Sequence, residues 1–159
     1  MKQEQSLEEQ VVSLLKEKHM LVSFAESCTG GLLSGRLVNV SGVSDVFKES
    51  YVTYGNEAKQ GLLGVSNQAL QDYGAVSRQV AEQMVKGTAK RSGAQAAVAV
   101  TGIAGPEGGT YLKPVGLVYI GCLVNGEVTV TENHFEGNRA EVRAQTVEAA
   151  LTLLLDCLS

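Results

Sequence analysis

Five apolar residues in a row, Ala96-Ala97-Val98-Ala99-Val100, run without interruption into a glycine-rich turn, Thr101-Gly102-Ile103-Ala104-Gly105-Pro106-Glu107-Gly108-Gly109. A strand of that kind has no polar face to give to water. It must lie inside a sheet covered on both sides, and helices are what cover a largely parallel sheet. The rest of the chain supplies them. Leu7, Val11, Val12, Leu14 and Leu15 recur near helical spacing with Ser6 and Glu9 in capping-box positions, which predicts an amphipathic helix over 6–18. Leu21 to Ala25 reads as a short strand that enters the turn Glu26-Ser27-Cys28-Thr29-Gly30-Gly31, after which Leu32, Leu33, Arg36 and Leu37 resume helical spacing. Ser50 to Tyr54 is a second predicted strand, followed by short helical pieces around 57–63 and 67–73. Ser77 is placed to cap a helix over 78–91, closed by Gly93. Val115 to Val124 and Glu127 to Phe135 are two strands around Asn125-Gly126, a dipeptide that favours a two-residue hairpin, and Asn138 caps a last helix through Leu155. Strands and helices alternating early, with a hairpin late, predict an α/β fold: a three-layer α/β/α sandwich around a mixed, partly parallel sheet.

Composition narrows the functions open to such a fold. With 159 residues, 44% hydrophobic and 19% charged, one compact domain over 1–159 is expected. A formal charge of -4 and no Lys/Arg cluster give no general attraction for polyanions, so nucleic acid is not an expected partner. The lack of Trp and the scarcity of Phe also make a poor stacking platform. The first twenty residues are charged throughout, with no apolar core of a signal peptide, and no stretch approaches the roughly 20 apolar residues of a membrane span. A cytoplasmic protein with no membrane partner is expected. Cys28, Cys122 and Cys157 are widely spaced with no CxxC pair, and His19 and His134 belong to no ligand motif, so no metal or other cofactor is expected.

Ligands of open α/β sheets bind beyond the carboxyl ends of the strands, where two predicted strands end in small-residue loops, at Ser27 and at Thr101. Both loops should face one crevice. Glycine there lets backbone N–H groups approach an anion, and a following helix N-terminus adds a favourable dipole. Gly30, Gly31, Gly102 and Gly105 read equally well as residues that only permit sharp turns. Neither loop matches GxGxxG or GxxxxGK[ST], so those nucleotide motifs do not apply. Ser27 stands where strand-to-helix elbows place a nucleophile, and equally where a helix places an N-cap. Cys28 is a rival nucleophile or a small packing residue. Without a histidine nearby, a serine needs another base. A lysine made less basic by burial serves in Ser-Lys hydrolases, and Lys59 and Lys113 lie nearest to loop segments. At the last helix, Asn138 and Glu141 form a capping-box-like pair, whereas Arg139 and Arg143 oppose the helix dipole and share one helical face. They are either neutralised by Glu136 and Glu141 or turned into the crevice.

Five blocks, taken in order, point to one family: Ala25-Glu26-Ser27-Cys28-Thr29-Gly30-Gly31, Tyr54-Gly55-Asn56-Glu57-Ala58-Lys59, Gly74-Ala75-Val76-Ser77, Thr101-Gly102-Ile103-Ala104-Gly105-Pro106, and Lys113-Pro114-Val115-Gly116. Together they closely resemble the CinA C-terminal domain family, whose members include nicotinamide mononucleotide deamidases. The resemblance runs from about residue 7 to 155. It implies hydrolysis of the substrate carboxamide by a catalytic set of Ser27 as nucleophile, Lys59 as base and Tyr54, with Asn56 orienting the amide or Lys59. It also implies that Thr29, Gly30, Thr101, Gly102, Gly105 and Lys113 bind the ligand, and that Arg139 and Arg143 hold its phosphate. Longer CinA proteins add an N-terminal molybdopterin-binding-like domain, and this chain resembles the stand-alone form. A non-catalytic nucleotide-binding accessory module linked to competence or recombination is the alternative, against which the intact Ser27 and Lys59 speak. A Cys28 thiol amidase is a third reading. A homodimer is an ordinary assembly for a chain of this size.

Overall fold

The structure, a computed structural model, describes residues 3–159. The elements run α1 (Leu7–Glu17), β1 (Val22–Glu26), α2 (Leu32–Leu37), β2 (Phe47–Val52), α3 (Asn56–Leu63), α4 (Asn67–Tyr73), α5 (Arg78–Ser92), β3 (Ala96–Gly102), β4 (Leu117–Val124), β5 (Glu127–His134) and α6 (Arg139–Leu158). The strands form one sheet in the order β2-β1-β3-β4-β5. β2, β1 and β3 are parallel, and β4 and β5 are antiparallel additions. The expected mixed, partly parallel sheet is therefore present, with helices on both faces. Because the chain passes from β1 outward to β2 and then back across to β3, a topological switch lies between β1 and β3, where open sheets of this type leave a crevice.

Each face of the sheet has its own core, and the period-2 alternation of the strands assigns residues to one or the other. Val98 and Val100 of β3 join Val22 and Phe24 of β1 and Val118, Ile120 and Cys122 of β4 beneath α1, α2 and α6. Ala97 and Ala99, with Ala25, meet Val80, Met84 and Val85 of α5 and Leu63, Val65 and Ala69 at the α3–α4 junction. The middle of this second face is built of small residues, so α5 lies close on it. A Cβ added at Gly121, which pairs with Ala99, would stand 3.0 Å from the Ala81 carbonyl oxygen and 3.2 Å from Val85 Cγ1.

Caps fall where the sequence places them. Ser6 and Glu9 complete a capping box on α1, Ser77 accepts from Val80 N–H, and Asn138 and Glu141 complete a second box on α6. Asn125 and Gly126 both take positive φ, as a two-residue hairpin requires. Three elements differ from expectation by more than one residue at an end. The second strand begins at Phe47 and ends at Val52, before Thr53 and Tyr54. Thr53 N–H still donates to the Glu26 carbonyl, but the carbonyls of Thr53 and Tyr54 turn to the Lys59 ammonium and leave the ladder. β4 starts at Leu117, after Gly116, whose φ of +93° and 2.0 Å approach of its would-be Cβ to the Phe135 oxygen exclude any side chain. α6 continues to Leu158, because that side chain is buried in the core.

The tightest helix contact bears on the site. A Cβ added at Gly87 of α5 would stand 1.8 Å from the carbonyl oxygen and 2.9 Å from the Cα of Leu63, so α3 rests directly on bare α5 backbone. Gly87→Ala should therefore cost about 1–3 kcal/mol by overpacking despite the better helix propensity of alanine. Gly61→Ala in α3, where the added methyl meets nothing within 4 Å, should be neutral or stabilise by up to about 1 kcal/mol. Urea unfolding midpoints at unchanged m-value read both, and a neutral Gly87→Ala would show that α3 does not depend on this contact.

Candidate active site

The turn after β1 is organised by a carboxylate. Glu26 ends the strand with no exposed surface, and its Oε1 accepts from Thr29 Oγ1 at 2.6 Å, Leu33 N–H at 2.8 Å and Gly31 N–H at 3.1 Å. Its Oε2 accepts from Ser34 N–H at 3.0 Å and from the Ser34 hydroxyl at 2.6 Å. These are the amides that the first turn of a helix leaves without partners, and a negative charge at that end is favoured by the helix dipole. Gly31 occupies the N-cap of α2 at a φ of +112° and has no side chain to cap with. Glu26 does that work, so Ser27 is free of the N-cap role that its position also allowed.

Ser27 meets Lys59 instead. Lys59 lies in α3 one turn before the Gly87 contact, is 1% exposed, and donates from Nζ to the carbonyls of Thr53 at 2.9 Å and Tyr54 at 3.1 Å. The remaining Nζ direction meets Ser27 Oγ at 3.1 Å. Burial lowers the Lys59 pKa and outweighs the opposing influence of the neighbouring Cys28. Nζ donates to Ser27 Oγ as well, and once it has lost a proton, with two N–H groups held on carbonyls, its lone pair would face the serine hydroxyl. A serine and a lysine at this distance meet the geometric requirement for a nucleophile and its base. Burial acts the opposite way on the adjacent thiol and pushes Cys28 up to about 11.

Ser27 and Lys59 open into a cavity of about 290 Å³ at the carboxyl ends of β1 and β3, near the lower end of the roughly 300–1,000 Å³ of small-molecule sites. Tyr54, Asn56, Thr101, Gly102, Gly105 and Arg139 line it too, so two loops far apart in sequence do share one crevice. Arg139 ties the Thr101 loop to the segment after β2, donating to the Gly105 carbonyl at 3.0 Å and to the Tyr54 hydroxyl at 3.3 Å. Tyr54 is 61% exposed at the rim and reaches the dyad only through its main-chain carbonyl. Gly102 and Gly105 are required by packing: added Cβ atoms would stand 2.5 Å from Val118 Cγ2 and 2.4 Å from Val115 Cγ1.

Four expected ligand residues lie elsewhere. Thr29 is fully buried with its hydroxyl on Glu26, and Gly30, at a φ of +58°, serves the turn itself. The Lys113 ammonium donates to the Tyr73 carbonyl, away from the cavity wall. Arg143 lies behind the serine turn and donates to the carbonyls of Cys28 and Thr29, so only Arg139 of the arginine pair reaches the cavity. The sequence reading missed Ala75, Val76, Ile103, Ala104, Glu107 and Gly108, all of which line the cavity. Ala75 and Val76 stood inside a matching sequence block, and the Ala75 carbonyl accepts from Thr101 Oγ1 at 2.9 Å.

Comparison with known proteins identifies the family and the fold. The CinA C-terminal domain model matches residues 4–158. A CinA-like protein of Dictyoglomus turgidum is 52% identical over 151 residues, covering 95% of this chain and 37% of that protein. This chain thus spans little more than a third of the curated relatives it matches. Among solved structures, the competence/damage inducible protein CihA of Agrobacterium tumefaciens is 43% identical, with a TM-score of 0.93 and 100% coverage of both chains. A CinA superfamily protein of Klebsiella pneumoniae is 32% identical, with a TM-score of 0.91 over 97% of this chain and 98% of that one.

The capping role of Glu26 is testable by a change that keeps its shape. Glu26→Gln replaces one acceptor oxygen with an NH2 group that faces amide donors, and should cost about 2–4 kcal/mol. A denaturation midpoint equal to that of the wild type would remove Glu26 from this role.

Proposed function

This chain belongs to the CinA C-terminal domain family, and we propose that it is an amidohydrolase converting nicotinamide mononucleotide to nicotinate mononucleotide and ammonia through an acyl-enzyme on Ser27. One observation carries the reading: a buried lysine, less basic than usual and held on two main-chain carbonyls, stands 3.1 Å from a serine hydroxyl in the wall of a cavity. A lysine serving only structure would keep its ammonium in water or against a carboxylate. For the same reason a non-catalytic nucleotide-binding module is the weaker reading.

In this mechanism neutral Lys59 takes the Ser27 proton as Oγ attacks the carboxamide carbon, and a tetrahedral oxyanion forms. The C–N bond then breaks, the Lys59 proton passes to the departing nitrogen, and ammonia leaves an ester on Ser27. Water attacks that ester, giving its proton to Lys59. When the C–O bond to Ser27 breaks, the proton returns to Oγ and the product leaves as the acid, which gives the second water proton to solvent and becomes the carboxylate. Cys28 is a poor competitor, since a thiol pushed up to about 11 holds almost no thiolate at neutral pH. Arg139, in the cavity wall, supplies the cation for the substrate phosphate.

Ammonia release on incubation with nicotinamide mononucleotide, in the presence of chelator, is the direct test. Ser27→Ala and Lys59→Met should each lower turnover by about 10³-fold or more, and the double variant should be scarcely worse, because the pair acts as a unit. Cys28→Ala should keep most of the activity, and iodoacetamide should not inhibit the wild type. A fully active Ser27→Ala protein would end the serine mechanism.

The pH profile provides a further test. The base must be neutral, so turnover should rise with pH through a limb set by Lys59 whose midpoint lies below the value of about 10.4 of an ordinary lysine. A wild-type limb at or above that value would contradict a base made less basic by burial.

A further inference from the structure

Arg143 is the charged group beside the serine turn to which the proposed chemistry gives no task. It is half-buried in α6, and two donors of its planar fork address one short stretch of backbone: Nε the Cys28 carbonyl at 3.0 Å and Nη2 the Thr29 carbonyl at 3.0 Å. A trans peptide sets its N–H opposite its C=O, so the guanidinium also fixes the directions of the Thr29 and Gly30 N–H groups. Gly30 N–H donates back to the Ser27 carbonyl at 3.0 Å, and this in turn fixes the next peptide plane, the one that carries the Cys28 N–H. Arg143 therefore sets three successive peptide planes around the nucleophile. Neither the Cys28 nor the Thr29 N–H meets an acceptor on another residue among the described ones, and the Cys28 N–H has only its own sulfur beside it, although both residues are buried. Unpaired backbone donors at buried positions are uncommon and call for an explanation.

Resting on the reading of the site as a serine amidohydrolase, we propose that Arg143 is a positioning residue for acylation. It holds the 27–30 peptide planes so that the N–H of Cys28, a residue of the cavity wall, stays free to receive the oxyanion formed when Ser27 attacks. The bond that it supports is the new Oγ–C bond. The charge that it helps to place is the one moving from the substrate carbonyl onto oxygen, and the proton remains with Lys59. Arg143 acts through the turn and does not bind the phosphate.

The test measures acylation of Ser27 by p-nitrophenyl acetate, as the p-nitrophenol burst, beside steady-state turnover of nicotinamide mononucleotide and its phosphate-free riboside. Arg143→Ala, Arg143→Lys and Arg139→Ala are compared with the wild type. Arg143→Ala should slow acylation and lower kcat by about 10- to 100-fold, by the same factor on both substrates and with KM unchanged. Arg143→Lys should recover part of the rate, because an ammonium can reach one carbonyl and cannot span both. Added methylguanidinium should recover part of it in the alanine variant. Arg139→Ala should instead raise KM for the mononucleotide and spare the riboside. A rise in KM for the mononucleotide alone in Arg143→Ala would make Arg143 a phosphate ligand and overturn the proposal. Unchanged acylation per folded molecule would overturn it too. If Arg143→Ala fails to fold, Arg143→Lys decides: lowered kcat at constant KM supports the proposal, and full activity overturns it. Should the wild type acylate from the ester yet release no ammonia from the mononucleotide, the substrate reading fails while acylation rates still judge Arg143.

Discussion

A carboxylate with no exposed surface stands at the end of β1, and the local structure of the site depends on how it is satisfied. Burying an unpaired charge would be very unfavourable, and Glu26 avoids this by collecting the backbone amides of Gly31, Leu33 and Ser34 together with two hydroxyls. The chain is thereby forced to turn back within a few residues and to begin α2 directly against the strand. Ser34 lies 2.6 Å from Ser50 of β2, so the same network ties the turn to the neighbouring strand. With the amides on Glu26 and the carbonyls of Cys28 and Thr29 on Arg143, the turn is held by opposite charges that are matched to opposite backbone dipoles. Ser27 is left facing the cavity with no structural duty of its own.

Lys59 comes to that serine from a different part of the fold, and packing brings it there. The sheet face under α5 is made of Ala25, Ala97, Ala99 and Gly121, which lets α5 sit close, and Gly87 then lets α3 sit on α5 backbone to backbone. The small residues in the strands thus act at a distance on where the amine lies. The early end of β2 belongs to the same arrangement, because carbonyls of Thr53 and Tyr54 that would otherwise continue a ladder hold the amine. Removing the ammonium from water makes it less basic, so the packing that places Lys59 also suits it to proton transfer.

Much of this could be read along the chain, and for identifiable reasons. The unbroken apolar run 96–100 required a strand covered on both sides, Ser6, Ser77 and Asn138 marked helix starts, and Asn125-Gly126 marked the hairpin. Ser27 and Thr101 were placed in one crevice by a rule about strand ends, which needs only the order of elements. The readings that went astray concern residues with more than one partner within reach. Arg139 and Arg143 share a helix face, yet one turn of helix separates a guanidinium at the cavity from one behind the serine turn. Lys113 and Lys59 both adjoin loops, and only the packing of α3 tells them apart.

The sequence by itself determined the α/β architecture, the sites of the turns and the pair of loops that meet, because hydrophobic period, caps and turn residues act over a few neighbouring positions. It also contained the Ser27 and Lys59 pair, without stating that they touch. Only the tertiary structure decided that Glu26 rather than Ser27 caps α2, that Arg139 rather than Arg143 reaches the cavity, and that Lys59 loses its water. Those outcomes depend on competition among donors for acceptors brought together from distant segments, and on desolvation, which exists only once the layers have closed.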